Sequence, residues 1–239
     1  MIATLPMHDQ PWLRAANDAL WAGLRDALRA GGFDAPDALE RGMTPAEAWA
    51  RDDLLLSQTC GLPWRERLHR RLALVGTPDY CVEGCPPGHY RSVIVRRRDD
   101  HRPETGLRWA FNARDSQSGF AALGPLRERL GEGIETGSHV ASIHAVAEGR
   151  ADLAAIDAVT WRGAAHLEAA RALRVAGFTP PSPGLPFVTA LRDRAGGIAR
   201  AVRAGVASAP AGAREALGLR GVVALTPADY GLRSAAASR

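Results

Sequence analysis

Two serines, separated by one residue, lie in the segment Ala110–Gly119, where an apolar run is followed by a polar turn. Ser116 and Ser118 carry hydroxyl groups that can donate to an anion, and Gly119 follows directly. A helix is expected after Ser118, and a helix start offers unpaired backbone N–H groups and partial positive charge. The segment therefore predicts an anion-binding turn, with a serine that only caps the helix as the alternative. The apolar residues at helical spacing after Ser118 are Phe120, Leu123, Leu126 and Leu130.

A second helix start carries small donors of the same kind, at Gly137-Ser138-His139. Glycine lets the backbone approach a ligand closely, and the imidazole of His139 can donate from either nitrogen according to its tautomer and charge. A lone histidine at a helix start is more often a surface or capping residue. Two such starts in one chain favour an anion site more strongly than either start alone.

A carboxylate follows the apolar run Leu153–Ile156 at Asp157. In open α/β sheets, ligands lie beyond the carboxyl ends of the strands, which is where Asp157 falls. Its other interpretation is a cap for the helix predicted over 158–172. Both interpretations stay open from the residues alone.

No catalytic or cofactor motif accompanies these residues. The chain contains no G-x-G-x-x-G fingerprint, P-loop, G-x-S-x-G or H-E-x-x-H. A Ser-His-Asp triad could be composed from the serines, His139 and Asp157, but their spacing gives no support for one. Cys81, Cys85 and His89 lack a fourth ligand in register, so we expect neither a metal site nor a cofactor.

Short β-like runs alternate with amphipathic helical stretches, which predicts an α/β architecture with mainly parallel strands. Gly- and Pro-rich breaks at 84–88 and 179–186 bracket a middle block of the size of one lobe. The chain is thus expected to leave a first lobe (1–88 plus 184–239), build a second (89–183) and return. The predicted strands are 2–6, 54–58, 72–75, 92–95, 108–111, 153–156 and 187–190. The predicted helices are 13–30, 118–130, 138–149, 158–172, 192–206, 211–217 and 227–230.

Composition excludes several classes of protein. With 239 residues and 46% hydrophobic residues, the chain can bury real cores and is not disordered. The net charge is +4, but every basic residue is Arg, and the densest run, Arg96–Arg98, is followed by two aspartates without interleaved aromatics. We interpret that run as a solvated loop or strand end and expect no nucleic-acid partner. No apolar run is long enough to span a bilayer, and the first residues carry no export signal.

Four strings together resemble a known family. The strings 54–61, 88–95, 112–119 and 137–157 look like the phosphate, phosphite and phosphonate substrate-binding proteins of ABC importers, which have the type II periplasmic-binding-protein fold. The resemblance implies two α/β lobes, each a mainly parallel sheet flanked by helices, with a small oxyanion held in the cleft and a hinge that closes over it. It further implies a non-enzymatic monomer that works with an ABC permease in the periplasm.

The resemblance also implies which residues contact the oxyanion. Hydroxyls and amides of Ser116, Gln117 and Ser118 would hold the phosphonate group, with His139 and, near the hinge, Tyr90. Asp157 would face the other end of the ligand, where it selects a protonated oxyanion or an aminoalkyl phosphonate and rejects sulfate. His8 stands where relatives often have a tyrosine, and Ser57 in the string 54–61 completes the predicted site. A Cys60–Cys85 disulfide is a further expectation, typical of an oxidising compartment.

Two other functions stay open at this point. Relatives of this architecture include enzymes, because fold does not fix function, and the chain lacks a recognisable base and nucleophile pair. A cytoplasmic anion-sensing protein is the second alternative, since the chain as given shows no leader sequence.

Overall fold

The computed structural model describes residues 1–232 and divides into two compact units. Unit 1 consists of Met1–Glu83, Pro87–His89 and the chain from Pro183 onward, and unit 2 of Gly84–Pro86 and Tyr90–Ser182. The strands are β1 (Ile2–Ala3), β2 (Leu54–Gln58), β3 (Ala73–Asp79), β4 (His89–Tyr90), β5 (Ser92–Arg97), β6 (Trp109–Phe111), β7 (Gly133–Glu135), β8 (Leu153–Asp157), β9 (Leu173–Phe178), β10 (Ser182–Pro183), β11 (Phe187–Thr189) and β12 (Gly221–Val223). The helices are α1 (Arg14–Ala30), α2 (Pro45–Trp49), α3 (Gly61–Glu66), α4 (Gly124–Arg127), α5 (His139–Ala147), α6 (Ala158–Gly163), α7 (Glu168–Arg171), α8 (Ala195–Ser208) and α9 (Ala211–Leu217). The lobe boundaries at 88/89 and 183/184 stay a prediction.

Unit 1 is built on a five-stranded sheet in the order β1-β2-β11-β3-β12. All five residues of β2 are buried, as a near-continuous apolar strand in the middle of a covered sheet requires. Helices α1 and α8 pack closely because glycines meet at their contact: a Cβ on Gly23 would lie 2.9 Å from the Gly205 carbonyl oxygen. The core beside the sheet includes Trp49 and Trp64.

Unit 2 has its own five-stranded sheet, in the order β7-β6-β8-β5-β9. Apolar side chains of β5, β6 and β8 pack against α5, with Ile143 and Val146 of the helix fully buried. Strand β8 pairs with β5 so that Asp157 lies opposite Ser92. This register carries the polar end of each strand to one edge of the sheet, where the candidate site lies.

The two sheets are mixed, so the expectation of mainly parallel strands is wrong. Strands β1 and β2 are parallel, as are β6, β7 and β8, but β11 runs antiparallel to β2 and β3. In unit 2, β5 runs antiparallel to β8 and β9. Both β5 and β11 are reached just after the chain has changed unit. Two neighbouring strands are parallel when a helical crossover connects them within one sheet. In the described chain, no such crossover leads into β5 or β11.

Several predicted elements are shorter than the sequence suggested. Strand β1 ends at Ala3, since Pro6 begins a 3₁₀ turn, Pro6–His8. The helix predicted over 118–130 is reduced to a 3₁₀ turn, Ala121–Leu123, and the four-residue α4, because Gly124 (φ −4°, ψ −87°) leaves the helical region. The helix predicted over 158–172 is divided into α6, a 3₁₀ turn and α7. Residues 227–230 form a turn instead of a helix.

The basic run Arg96–Arg98 ends a strand, as predicted, but its first residue is not solvated. Arg96 is 4% exposed, and its Nη2 lies 2.9 Å from Oδ1 of the equally buried Asp100. A second buried carboxylate, Asp152, accepts from Arg102 and Arg108. Burial alone would raise the pKa of Asp152, but the hydrogen bonds from these arginines lower it well below its ordinary value. The network stabilises the edge of unit 2 at the Arg97 end of β5.

Some expectations concern features outside the sheets. Within residues 1–232, no helix combines the length and the apolar character needed to cross a membrane. None of the three cysteines forms a disulfide in the described structure, so the expected Cys60–Cys85 bridge is wrong there: the two residues belong to different units. The described residues also contain no group of three or more His, Cys, Asp or Glu side chains placed to hold a metal ion.

Candidate functional site

The segment after β6 folds into a run of turns that hold one another by backbone hydrogen bonds. Ser116 N donates to Ala113 O (3.1 Å), and Ser116 O accepts from Phe120 N and Ala121 N. The Ser116 hydroxyl oxygen accepts from Gly119 N at 3.0 Å and is buried. The predicted helix start is therefore a tight turn, and Ser116 serves the turn itself. Gln117 is half-buried between the two serines.

Ser118 lies against the other predicted anion-binding segment. Its hydroxyl oxygen is 2.8 Å from Nε2 of His139, the first residue of α5. The Ser118 carbonyl accepts from the Ser92 hydroxyl at 2.9 Å, which fixes the residue against the end of β5. Ser138 caps α5 by accepting from Ala141 N at 3.0 Å. The structure thus brings the two donor-bearing segments into direct contact within unit 2.

Asn112 connects the two segments through its backbone and through its side chain. Its carbonyl accepts from Gly137 N at 2.9 Å, just before α5. Its Oδ1 lies so close to Gly119 that a Cβ on that residue would be only 1.9 Å away. Asn112 Oδ1 is buried and makes no hydrogen bond in the described structure. A side chain at position 119 would therefore have to displace the amide group of Asn112.

Two backbone donors at the contact between the segments have no acceptor within the described chain. The backbone N–H of Ser118 and that of Val140, the second residue of α5, make no hydrogen bond within the described chain. The first belongs to the residue whose hydroxyl contacts His139, and the second to the residue that follows His139 in α5. The nearby Arg114 is largely exposed and faces Glu135 at 3.8 Å. The arrangement can surround a small anion with hydroxyl, imidazole and amide donors. We call it the unit 2 cradle: Ser118, His139 and Val140.

Asp157 and Tyr90 belong to the same unit. Asp157 is 2% exposed, and its Oδ1 accepts from Thr160 N at 2.8 Å, so it caps α6, as the alternative interpretation had it. Asp157 pairs in register with Ser92 of the neighbouring strand. The Ser92 hydroxyl donates to the Ser118 carbonyl, so Ser92 connects Asp157 to the cradle. Tyr90 is buried in β4, two residues before Ser92.

The remaining two predicted residues lie in unit 1. His8 is 2% exposed, and its ring meets that of Tyr80 edge-on at 4.9 Å. Ser57 is fully buried in β2, where its hydroxyl contacts Thr4 Oγ1 (2.7 Å) and Trp49 Nε1 (3.2 Å). With both bonds made, the Ser57 hydroxyl positions its neighbours in unit 1.

Sequence reasoning missed the polar residues around His8 and Ser57. Gln58 Nε2 donates to Tyr80 OH at 2.9 Å, so the two residues form one buried pair with the His8 ring beside it. Strand β3 was predicted to end at residue 75, and Tyr80 therefore fell outside any element. The signal was present: the polar residues Thr77 and Asp79 alternate after an apolar run, as in a strand that continues beyond residue 75.

Solved structures confirm the predicted fold class, the two-lobed α/β type II periplasmic-binding-protein fold. XAC2383 from Xanthomonas citri, bound to chloride, is 16% identical, with a TM-score of 0.70 over 96% of this chain and 92% of that chain. PhnD1 from Prochlorococcus marinus, in complex with methylphosphonate, is 15% identical, with a TM-score of 0.70 over 96% and 94%. The ABC phosphonate transporter binding protein PA3383 from Pseudomonas aeruginosa is 16% identical, with a TM-score of 0.60 over 80% and 68%.

No curated protein sequence matches the chain. A family model does match, over residues 82–230, which is more than half of the chain and includes the whole unit 2 cradle. Its description is ABC transporter, phosphonate, periplasmic substrate-binding protein. The resemblance seen in the sequence is thereby confirmed, and the chain belongs to the family of phosphonate substrate-binding proteins of ABC transporters.

Proposed function

We propose that this protein is the substrate-binding component of an ABC importer for a small tetrahedral oxyanion of the phosphonate, phosphite or phosphate class. The observation that carries the proposal is the 2.8 Å contact between the Ser118 hydroxyl and His139 Nε2, flanked by the uncommitted N–H groups of Ser118 and Val140. Family membership supports the role in import, the permease as partner and a periplasmic location. Methylphosphonate bound to PhnD1 supports the class of ligand.

Neutral donors are sufficient for such a ligand. A hydrogen bond to a charged group contributes about 1.5–3 kcal/mol. Four to six of them, less the costs of ordering and desolvation, reach roughly −8 kcal/mol, which corresponds to a micromolar dissociation constant. The cradle needs no arginine, and an anion held by hydroxyl and amide donors can leave again without breaking an ion pair.

Asp157 supplies the proposed selectivity. A buried carboxylate beside a dianion would repel it, so the ligand must carry a proton or an ammonium group on that side. Sulfate has neither at neutral pH. Phosphite, phosphate and 2-aminoethylphosphonate have one or the other. Contacts from His8, Ser57, Tyr90 and Gln117 to the ligand stay predictions, each tested by the alanine (for Tyr90, phenylalanine) variant.

Titration calorimetry at pH 7 tests the proposal with methylphosphonate, phosphite, phosphate, 2-aminoethylphosphonate and sulfate. We expect at least one of the first four to bind in the micromolar range and sulfate to bind at least about 100-fold more weakly, since an uncompensated buried charge pair costs roughly 3 kcal/mol or more. Equal affinity for sulfate would refute the selectivity proposed for Asp157. If none of the four binds, the proposal that the ligand is an oxyanion of this class is refuted.

The Ser118–His139 pair also has the geometry of a nucleophile and its base, so the non-enzymatic role needs its own test. We propose that the pair binds and does not react. Hydrolysis of p-nitrophenyl acetate and p-nitrophenyl phosphate should then proceed equally with the wild-type protein and with Ser118→Ala. A faster rate for the wild-type protein would favour the enzyme alternative.

A further inference from the structure

A stacked arginine lies on the exposed side of unit 2, outside the cradle. Arg91 follows Tyr90 and precedes β5, and its guanidinium Cζ lies 3.9 Å from the centroid of the Phe178 ring. Phe178 is 52% exposed and Val175, on the same strand, 40%. That strand, β9, is an edge of the unit 2 sheet. Phe178 and Val175 are the two exposed large apolar side chains among the described residues, and both belong to this one strand.

The guanidinium also lies close to the backbone at Gly84. A Cβ on Gly84 would lie 2.9 Å from Arg91 Nη1 and 3.1 Å from Cζ, so a side chain at this position would displace the guanidinium. Gly84 also has φ +71°, a conformation that favours glycine. Arg91 thus stacks on the Phe178 ring and lies close to the backbone at Gly84. A guanidinium in such a position has already lost much of its side-chain freedom before any partner arrives.

The donors of Arg91 are uncommitted. Arg91 forms no ion pair and donates no side-chain hydrogen bond to any residue that the structure describes, unlike Arg96, Arg102 and Arg108 in the same unit. A planar guanidinium has five N–H groups arranged as a fork that matches the two oxygens of a carboxylate. Stacking on an aromatic face leaves that edge open. The geometry therefore suits bidentate recognition of a carboxylate.

The surroundings indicate where that carboxylate comes from. Arginine and aromatic residues are enriched at the cores of protein interfaces, with apolar neighbours that exclude water. The segment 171–182 contains Arg171 and Arg174 and no acidic residue, so a second copy of this chain would bring two basic edges together. A free small carboxylate would leave Phe178 and Val175 in water. An acidic side chain flanked by apolar ones, on a partner protein, satisfies the cation and the apolar groups together.

We propose that the surface formed by Arg91, Val175 and Phe178 is a docking site for a partner protein, centred on a carboxylate side chain of that partner. The Arg91 guanidinium pairs with the carboxylate, and Phe178 and Val175 contact the apolar residues beside it. Arg91 lies between Tyr90, a predicted ligand contact, and Ser92, whose hydroxyl donates to Ser118, so the test includes a variant of the cradle.

The test uses the full chain, labelled with ¹⁵N, and the NMR signal of the Arg91 side-chain N–H. The probes are the peptide amide acetyl-Leu-Glu-Leu, its matched control acetyl-Leu-Gln-Leu, and acetate. We expect a saturable shift with the Glu peptide, and binding at least about fivefold weaker with the Gln peptide and with acetate, a factor equivalent to about 1 kcal/mol. Absence of a saturable shift would overturn the proposal. Acetate as tight as the Glu peptide would overturn it in favour of a site for free anions.

Variants separate this site from the cradle. Calorimetry with the Glu peptide should show at least fivefold weaker binding for Arg91→Gln and for Phe178→Ser, a factor of about 1 kcal/mol, and unchanged binding for His139→Ala. Gly84→Ala should weaken it as well, whereas Gly106→Ala, with a similar φ of +75° but no neighbour within 4 Å, should not. Peptide binding that survives Arg91→Gln, or that is lost in His139→Ala, would contradict the proposal. The last result would point to the cradle.

Discussion

The contact between Gly119 and Asn112 leads to a prediction that can be worked through from distances. In the variant Gly119→Ala, the new Cβ would lie 1.9 Å from Asn112 Oδ1, whereas real Cβ contacts are essentially never below 3.0 Å. The two atoms must therefore move apart by at least 1.1 Å. Asn112 N, at 3.3 Å from the same position, restricts the movement on the backbone side. Since no positive φ is involved, the cost is steric only.

The Asn112 side chain can take up part of this displacement, and we expect the rest to reach Ser118, the residue next to Gly119. The Ser118 hydroxyl is 2.8 Å from His139 Nε2, so a shift of about 0.5 Å or more at Ser118 carries the pair beyond the ordinary hydrogen-bond distance. Losing one donor aligned on a charged ligand costs about 1.5–3 kcal/mol, which is roughly 10- to 150-fold in affinity. Titration calorimetry with the tightest-binding phosphonate should show that loss for Gly119→Ala. Gly196→Ala, with no neighbour within 4 Å of its Cβ, is the matched control and should bind as the wild type.

A double variant separates the steric clash from any other effect of the alanine at position 119. Asn112 Oδ1 has no hydrogen-bond partner in the described structure, so Asn112→Ala alone should cost little affinity. Removing that oxygen also removes the obstacle, and Asn112→Ala/Gly119→Ala should regain most of the loss. Wild-type affinity in Gly119→Ala, or a double variant no better than Gly119→Ala, would show that the turn does not depend on this contact.

Three further predictions concern the cradle and the stability of each unit. Ser118→Ala should weaken phosphonate binding roughly 10-fold or more at unchanged melting temperature, measured by calorimetry and thermal unfolding. Asp152→Asn should lower the free energy of unfolding by about 2 kcal/mol. Since the folded-state pKa of Asp152 is lowered, the difference in unfolding free energy between the wild type and this variant should be full above about pH 4 and should disappear as the pH falls further. Asp37, an exposed partner of Arg29, provides the control: Asp37→Asn should change the unfolding free energy little. Urea unfolding measures both variants. Tyr230→Phe removes a hydroxyl bonded to Thr77 Oγ1 (2.7 Å) and Gly184 O (3.0 Å), and should cost about 1–2 kcal/mol of unfolding free energy.

The sequence specified elements well where one local signal was undisturbed. Strand β2 and helix α9 have the predicted bounds, since an uninterrupted apolar run and a Gly-terminated amphipathic stretch depend on little else. The helix after Ser118 was wrong because apolar spacing was read without the backbone requirement at Gly124. The direction of a strand relative to its neighbours could not be predicted from a local stretch of sequence. Whether β5 and β11 run parallel or antiparallel depends on where the chain comes from, which no window of residues contains.

The candidate site shows the same division. Ser118 and His139 were predicted from donor types at two turns, and their direct contact follows from the pairing of the segments through Asn112 and Gly137. Ser116 stays a predicted ligand contact: its hydroxyl oxygen accepts from Gly119 N, and its O–H can still donate. Which hydroxyls of the turn can face a ligand depends on the tertiary fold of the turn. Composition and spacing predict which types of donor are present, but they do not predict in which direction each donor points.

A crystal structure of the protein with methylphosphonate tests the central claim most directly. We expect phosphonate oxygens within hydrogen-bond distance, about 2.7–3.2 Å, of the Ser118 hydroxyl and of His139 Nε2, with further oxygens facing the N–H groups of Ser118 and Val140. Methylphosphonate held elsewhere, with Ser118 and His139 contacting only each other, would contradict it.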